Sequence, residues 1–314
     1  MRLLTRSDFD GLACAALLKD LGIIDHWKFV HPKDIQDGLV KATDQDVCAN
    51  IPYIPGCKLW FDHHSSEEER LGRDFTFEGE SRAADSAARV IYEYYGGKEK
   101  LPYMEEMVIA VDRVDSGKLT KEDVMNPKDW VLLGYIMDPR TGLGRFRDFR
   151  ISNYQLMEKL IDGVAKLPID DILKDEDVAE RVLMYYEQNT HFKDMIETHT
   201  KVDANVIITD LRGVSPIYTG NRFLIYSMYP EQNISMWVVD GRRIEKEDGS
   251  FTQNCPISVG HSILNRTAKT DVGSMLLKYG GGGHEQVGTC QVAYEEADKV
   301  IAALLEQMKQ DNMA

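Results

Sequence analysis

Lys58-Leu59-Trp60-Phe61 is a short apolar run, and Asp62-His63-His64-Ser65-Ser66 follows it without a break. The apolar part predicts a β-strand and the polar part its carboxyl end. In an open α/β sheet, ligands sit in the crevice outside the carboxyl ends of the strands, so a carboxylate and two imidazoles are delivered to that crevice. Carboxylate oxygen and imidazole nitrogen suit Mn, Fe or Zn, which makes Asp62 and one histidine candidate ligands of a divalent ion. Adjacent side chains on extended backbone point opposite ways, so the other histidine is expected to face the substrate or to support the ligands from behind. An isolated Asp-His-His can equally be a solvated turn, and only its context decides.

The amino terminus repeats the pattern. Met1 to Thr5 reads as a strand and Arg6-Ser7-Asp8-Phe9-Asp10-Gly11 as an acidic loop, after which Leu12, Ala15, Ala16, Leu18 and Leu21 recur at helical spacing. Asp8 and Asp10 thus stand at a second strand end, where both can face one cation, and Gly11 permits close backbone approach. An acidic residue there is also an ordinary helix cap. Met104 to Val111 predicts an apolar helix delivering Asp112, Arg113 and Asp115, with Asp112 the next candidate for the crevice. Short strands separated by helices predict a parallel sheet covered on both faces.

Residues 129 to 198 read as helical apart from a basic loop, Pro139 to Arg147, whose Arg140, Arg145 and Arg147 either line the cleft or pair at the surface. Beyond them Val206-Ile207-Ile208, Phe223-Leu224-Ile225-Tyr226 and Ile234 to Val239 predict strands of a second, smaller α/β domain, which divides the chain into residues 1–198 and 199–314. There Gly280-Gly281-Gly282-Gly283-His284 separates a predicted helix from a strand. Consecutive N–H groups of such a run can form an anion nest, so Gly281, Gly282, Gly283 and His284 are candidate phosphate ligands.

A chain of 314 residues suits two domains, and its formal charge of -15 argues against a broad basic face for long duplex nucleic acid. The five cysteines lack paired metal-ligand spacing and read as reduced thiols. With no basic-then-apolar leader and no apolar run long enough to span a bilayer, the expected location is cytoplasmic, without a membrane partner.

Ser7-Asp8-Phe9-Asp10-Gly11, Asp62-His63-His64, Asp112 and the glycine run followed by Gly288 occur in one order along the whole chain. In this the protein resembles the DHH phosphoesterases that carry a C-terminal DHHA1 domain, a group including nanoRNA and cyclic-dinucleotide phosphodiesterases and exopolyphosphatase-like proteins. The resemblance implies a doubly wound N-terminal domain with a site for usually two manganese ions, and a smaller phosphate-gripping domain. It implies Asp8, Asp10, Asp62, His63 and Asp112 as metal ligands, His64 beside the phosphate, and the glycines with His284 as the pocket's far wall. It also implies hydrolysis of a phosphodiester or phosphoanhydride in a short oligonucleotide, dinucleotide or polyphosphate, by a chain that is a candidate homodimer.

Two positions depart from the family pattern. Arg6 stands where many relatives have a metal-binding histidine, and Asn50 where they have an aspartate that bridges two metals. A neutral bridge and a fixed positive charge both disfavour a second cation. One ion is therefore expected, Mn2+ ahead of Mg2+ or Co2+, with Arg6 substituting for the other in catalysis and Asp44 or Asp46 the alternative source of a carboxylate. In the second domain His261 or Arg266 stands in for a phosphate-binding arginine. Tyr53, Phe146 and Trp237 are candidate surfaces for a nucleobase. The rival reading is a catalytically impaired regulatory protein that binds a phosphorylated ligand.

Overall fold

A computed structural model of the protein describes residues 1–31, 34–35, 37–64, 76–141, 143–245 and 251–313. Ser65, Ser66 and Gly142 lie outside them, as does the side chain of Arg140. The chain divides into two compact units, Met1–Tyr186 and Glu187–Ala314.

In the first unit β1 (Arg2–Thr5), β2 (His26–Phe29), β3 (Asp46–Ala49), β4 (Leu59–Asp62) and β5 (Gly79–Ser81) form a parallel sheet in the order β2-β1-β3-β4-β5. The chain leaves β1 toward β2 on one side and resumes with β3 on the other. Strand order reverses between β1 and β3, so the crevice expected of such a sheet opens beside Arg6 to Asp8 and beside Asn50.

The helix after β1, α1 (Phe9–Asp20), is buried at every residue from Phe9 to Leu18. A helix that is apolar all round belongs inside, and α1 packs among α2 (Ala87–Tyr94), α3 (Glu105–Asp115), α4 (Asp129–Met137) and α5 (Asn153–Lys166). Its start lies hard against the end of β1, where a Cβ on Gly11 would come within 2.0 Å of the Arg6 carbonyl oxygen. Glycine is therefore required at this turn, and the turn sets where Asp8 and Asp10 stand.

A long helix, α6 (Glu176–His199), contributes to both units. Tyr185 stacks on Tyr135 in the first, and Phe192 lies parallel to Trp237 in the second, 6.0 Å away. The two units divide inside this helix, whereas the sequence pattern sets the junction at 198/199, where helix gives way to strand.

The second unit holds β6 (Thr200–Asp203), β7 (Val206–Asp210), α7 (Leu224–Met228), β8 (Ile234–Val238), β9 (Arg243–Glu245), β10 (Phe251–His261), α8 (Val272–Leu277), β11 (Gly282–His284), β12 (Val287–Ala293) and α9 (Ala297–Met313). Its sheet runs β11-β12-β10-β8-β7-β6, antiparallel except for β7 with β8. Val206, Ile234, Met236, Ile257 and Val259 pack with Val272, Leu276 and Leu304 as its core. The expected strand at Phe223 to Tyr226 is instead the start of α7: a short apolar run reads the same in a buried strand and a buried helix. No helix among the described residues is long and apolar enough to cross a membrane.

Candidate metal centre

Asp10 sits in the first turn of α1 and is 2% exposed. Its two carboxylate oxygens accept hydrogen bonds from the N–H groups of Ala87 at 2.9 Å and Ala88 at 2.8 Å, the first residues of α2. One aspartate thus caps a neighbouring helix and is rigidly aimed. Beside it lie His63 Nε2, 3.8 Å from Asp10 Oδ2, and Asp115 Oδ2, 3.3 Å from the same imidazole nitrogen. Burial, then the charges of Asp115 and Asp8, push the Asp10 carboxyl well above the usual carboxylate range, against the pull of the two backbone bonds.

These three groups fit a divalent cation. His63 Nδ1 lies 3.3 Å from the Ala84 carbonyl oxygen, which makes Nδ1 the donor and leaves the Nε2 lone pair for another partner. Nε2 is buried and has no hydrogen-bond partner. An unused imidazole nitrogen beside two carboxylates, all three ligand atoms within 4.8 Å of one another, is a donor set suited to Mn, Mg or Zn.

Asp62, His63 and His64 form a second such group. Asp62 ends β4 with no exposure; its Oδ1 accepts from His64 Nδ1 at 2.9 Å, and its Oδ2 is buried without a partner. The carboxylate can only accept, so His64 carries a proton on Nδ1. That bond to Asp62, ahead of the opposing effect of burial, raises the His64 pKa. The two imidazoles do not diverge as extended backbone would require: β4 has ended, and their rings lie side by side, 4.2 Å apart.

Asp112 takes no part in either group. Its Oδ1 accepts from Ser86 Oγ at 2.7 Å, while Oδ2 accepts from Arg89 Nε at 2.8 Å and Nη2 at 2.6 Å. The carboxylate that α3 supplies beside His63 is Asp115. The helix continues through both aspartates to Asp115, and three residues turn a side chain by about 60° around the axis. The missed signal was a second aspartate within one turn of the first.

The Asp8 carboxylate, by contrast, is paired by protein groups. Asp8 caps α1 through a 2.9 Å bond from Gly11 N–H to its Oδ1, which also accepts from Asn50 Nδ2 at 3.0 Å. Its Oδ2 lies 3.1 Å from Arg6 Nε. Asn50 therefore donates to Asp8, where an aspartate would repel it, and holds this geometry on left-handed backbone at φ 56°. Neither nearby acid compensates. Asp46 is at the opposite end of β3, bonded by Arg2 and by Thr43 N–H and Oγ1, and Asp44 is exposed.

In the second unit the glycine run serves packing. The N–H of Gly281 donates to Leu276 O, Gly282 and Gly283 pair with Thr289 and Gly288 of β12, and a Cβ on Gly283 would meet Val287 O at 2.2 Å. His284 remains exposed at this edge. His261 Nε2 donates to Thr270 O at 2.8 Å, and Arg266 Nε donates to Ile263 O at 3.0 Å, with the arginine otherwise exposed.

The proposed stacking residues are used internally. Tyr53 packs edge-on against Trp60, Phe146 against Phe149, and Trp237 along Phe192. Two hollows flank the Ser7 turn instead. One of about 320 Å³ is lined by Ser7, Asp138, Pro139 and Arg145 of the basic loop; an open cleft of about 600 Å³ is lined by Arg6, Ser7, Asp8, Lys28, Phe29 and Pro139.

No family model and no curated protein sequence matches the chain. Among solved structures, a pGpG-specific phosphodiesterase, PggH from Vibrio cholerae, is 45% identical, with a TM-score of 0.85 over 99% of this chain and 99% of that one. An exopolyphosphatase-related protein from Bacteroides fragilis is similar in fold, at 15% identity and a TM-score of 0.52, over 100% of this chain and 93% of that one.

Proposed function

The chain belongs to the DHH/DHHA1 phosphoesterases, and from that premise we propose that it is a divalent-metal-dependent phosphodiesterase acting on a short nucleotide, a dinucleotide of the pGpG type. The observation that carries this reading is the unpartnered Nε2 of His63 between Asp10 and Asp115. Asp10, His63 and Asp115 would hold the ion, with Asp62 Oδ2 the next available oxygen. When bound there, a divalent ion lowers the pKa of water and neutralises charge developing on the phosphoryl oxygens. The pairing of Asp8 with Arg6 and Asn50 supports one ion per chain, and the family resemblance favours Mn2+.

His64 has the features of a proton donor. Asp62 fixes its Nδ1–H and raises its pKa, so Nε2 of the partly exposed ring is poised to protonate a leaving oxygen or to hold the phosphate. Arg6 is assigned to the phosphate as a fixed cation, its Nε on Asp8 and its side chain 35% exposed. His284, with Gly281, Gly282 and Gly283 shaping the strand edge around it, and the exposed Arg266 are proposed phosphate contacts in the second unit; His261 supports the same loop through Thr270.

A panel of pGpG, other dinucleotides and inorganic polyphosphate, assayed with Mn2+, tests the reading. Mononucleotide release from the dinucleotides is expected, and phosphate release from polyphosphate alone would overturn it. One observation favours a second reading, a ligand-binding regulator: Asp8 is already neutralised by protein groups. That reading requires metal-independent dinucleotide binding with no turnover of any member of the panel.

A further inference from the structure

The open cleft of about 600 Å³ beside Arg6 starts at the loop that carries Asp8 and Asp10 and ends at the carboxyl end of β2. It lies on the crevice side of the sheet, and its volume is within the range of small-molecule sites. Its wall combines two chemistries. Phe29, Val30, Val40 and Pro139 supply apolar surface, while Arg6 and Lys28 supply positive charge in a chain of formal charge -15. Phe29 is backed by Tyr154, whose ring meets it nearly perpendicular at 5.4 Å, so the phenyl ring is held in place. Lys28 is exposed and forms no ion pair among the described residues. The acids lining the cleft are Asp8, already paired with Arg6, and Asp34.

We infer that this cleft is the nucleotide subsite of the enzyme, in which Phe29 packs against a base and Lys28 meets a phosphate other than the one being cleaved. The inference rests on the phosphodiesterase reading above and deepens it, because the apolar surface beside the cations suits a nucleobase and gives nothing to inorganic polyphosphate. Polyphosphate requires repeated cations; a nucleotide requires one or two cations and a flat apolar surface. Lys28 and Phe29 are thus specificity determinants, and neither is in the group around His63.

The test compares wild type with Lys28→Glu and Phe29→Ala on pGpG and on bis(p-nitrophenyl) phosphate, both with Mn2+, reading KM and kcat separately. The ratio of kcat/KM for pGpG to that for the small diester is expected to fall at least tenfold in each variant, chiefly through KM. Calorimetric binding of pGpG to His63→Ala should weaken by a similar factor when Lys28→Glu is added. If wild type cleaves pGpG and both ratios stay within twofold of it, the cleft is not the subsite and the phosphodiesterase reading stands. If wild type cleaves neither substrate, the phosphodiesterase reading fails, and unchanged pGpG binding on adding Lys28→Glu would then overturn the cleft as well. Phe29→Leu, which keeps the apolar volume, controls for misfolding and should retain more of the ratio than Phe29→Ala.

Discussion

The two sides of the crevice treat their carboxylates in opposite ways. Around His63, the carboxylates of Asp10 and Asp115 stand beside an imidazole whose buried Nε2 has no hydrogen-bond partner among the described residues. Around Asp8, a guanidinium and an amide N–H2 already pair the carboxylate, and the Asn50 Oδ1 left unpartnered is neutral. Buried polar atoms are normally hydrogen-bonded, so the exceptions mark where a missing partner belongs. On the proposed reading, one side of the crevice takes a cation from outside, while the other carries its own.

The largest effect expected is on the first side. His63→Ala should lower Mn2+-dependent kcat by about a thousandfold or more, equivalent to about 4 kcal/mol of transition-state stabilisation, with the folded state intact by circular dichroism. Retained hydrolysis would remove His63 from the site. Asp115→Asn should approach the same loss, whereas Asp112→Asn should act mainly on stability. Removing the carboxylate charge that binds Arg89 leaves a largely buried guanidinium with only its longer 3.8 Å pairing to Glu93, at about 1–3 kcal/mol in urea unfolding. If Asp112→Asn proves the more damaging of the two in kcat, the assignment within α3 is reversed.

On the second side, Asn50→Asp should lower metal-free stability by about 1 kcal/mol, because the new carboxylate faces Asp8 where an N–H donor stood. Added Mn2+ should restore that loss more in Arg6→His/Asn50→Asp than in Asn50→Asp, and equal recovery would deny Arg6 its role as the resident cation. The smallest effect is expected at the far end of β3. Burial alone would raise the Asp46 carboxyl, but Arg2 and Thr43 outweigh it and hold the group below its usual range. A depressed folded pKa stabilises above the unfolded value, near 4, and that stability is lost as pH falls through the folded value. Asp46→Asn should therefore cost about 1 kcal/mol at pH 7, with Arg2 partly in solvent, and the gap to wild type should close below about pH 4 in thermal melts.

Much of this was legible in the sequence because strand ends in a parallel sheet converge. Asp8, Asp10, Asp62 and His63 each follow or end an apolar strand, and the topology brings those ends together. The sheet itself was readable from the same alternation of short strands and helices. Asp115 was not distinguishable from Asp112, since one helical turn separates them and the location of Arg89, which takes Asp112, is not visible in the sequence; it is Asp115 that stands beside His63. The glycine run suggested an anion nest, yet close backbone approach to β12 requires glycine for steric reasons that no single sequence displays. The β2 cleft was missed because Lys28 and Phe29 form no motif; they matter only once β2 lies beside β1.

The most direct measurement is the manganese content of the dialysed protein by elemental analysis, with His63→Ala in parallel. One ion per wild-type chain and none in the variant is the predicted result. Two ions per chain, or an unchanged count in His63→Ala, would contradict a single cation held between Asp10, His63 and Asp115.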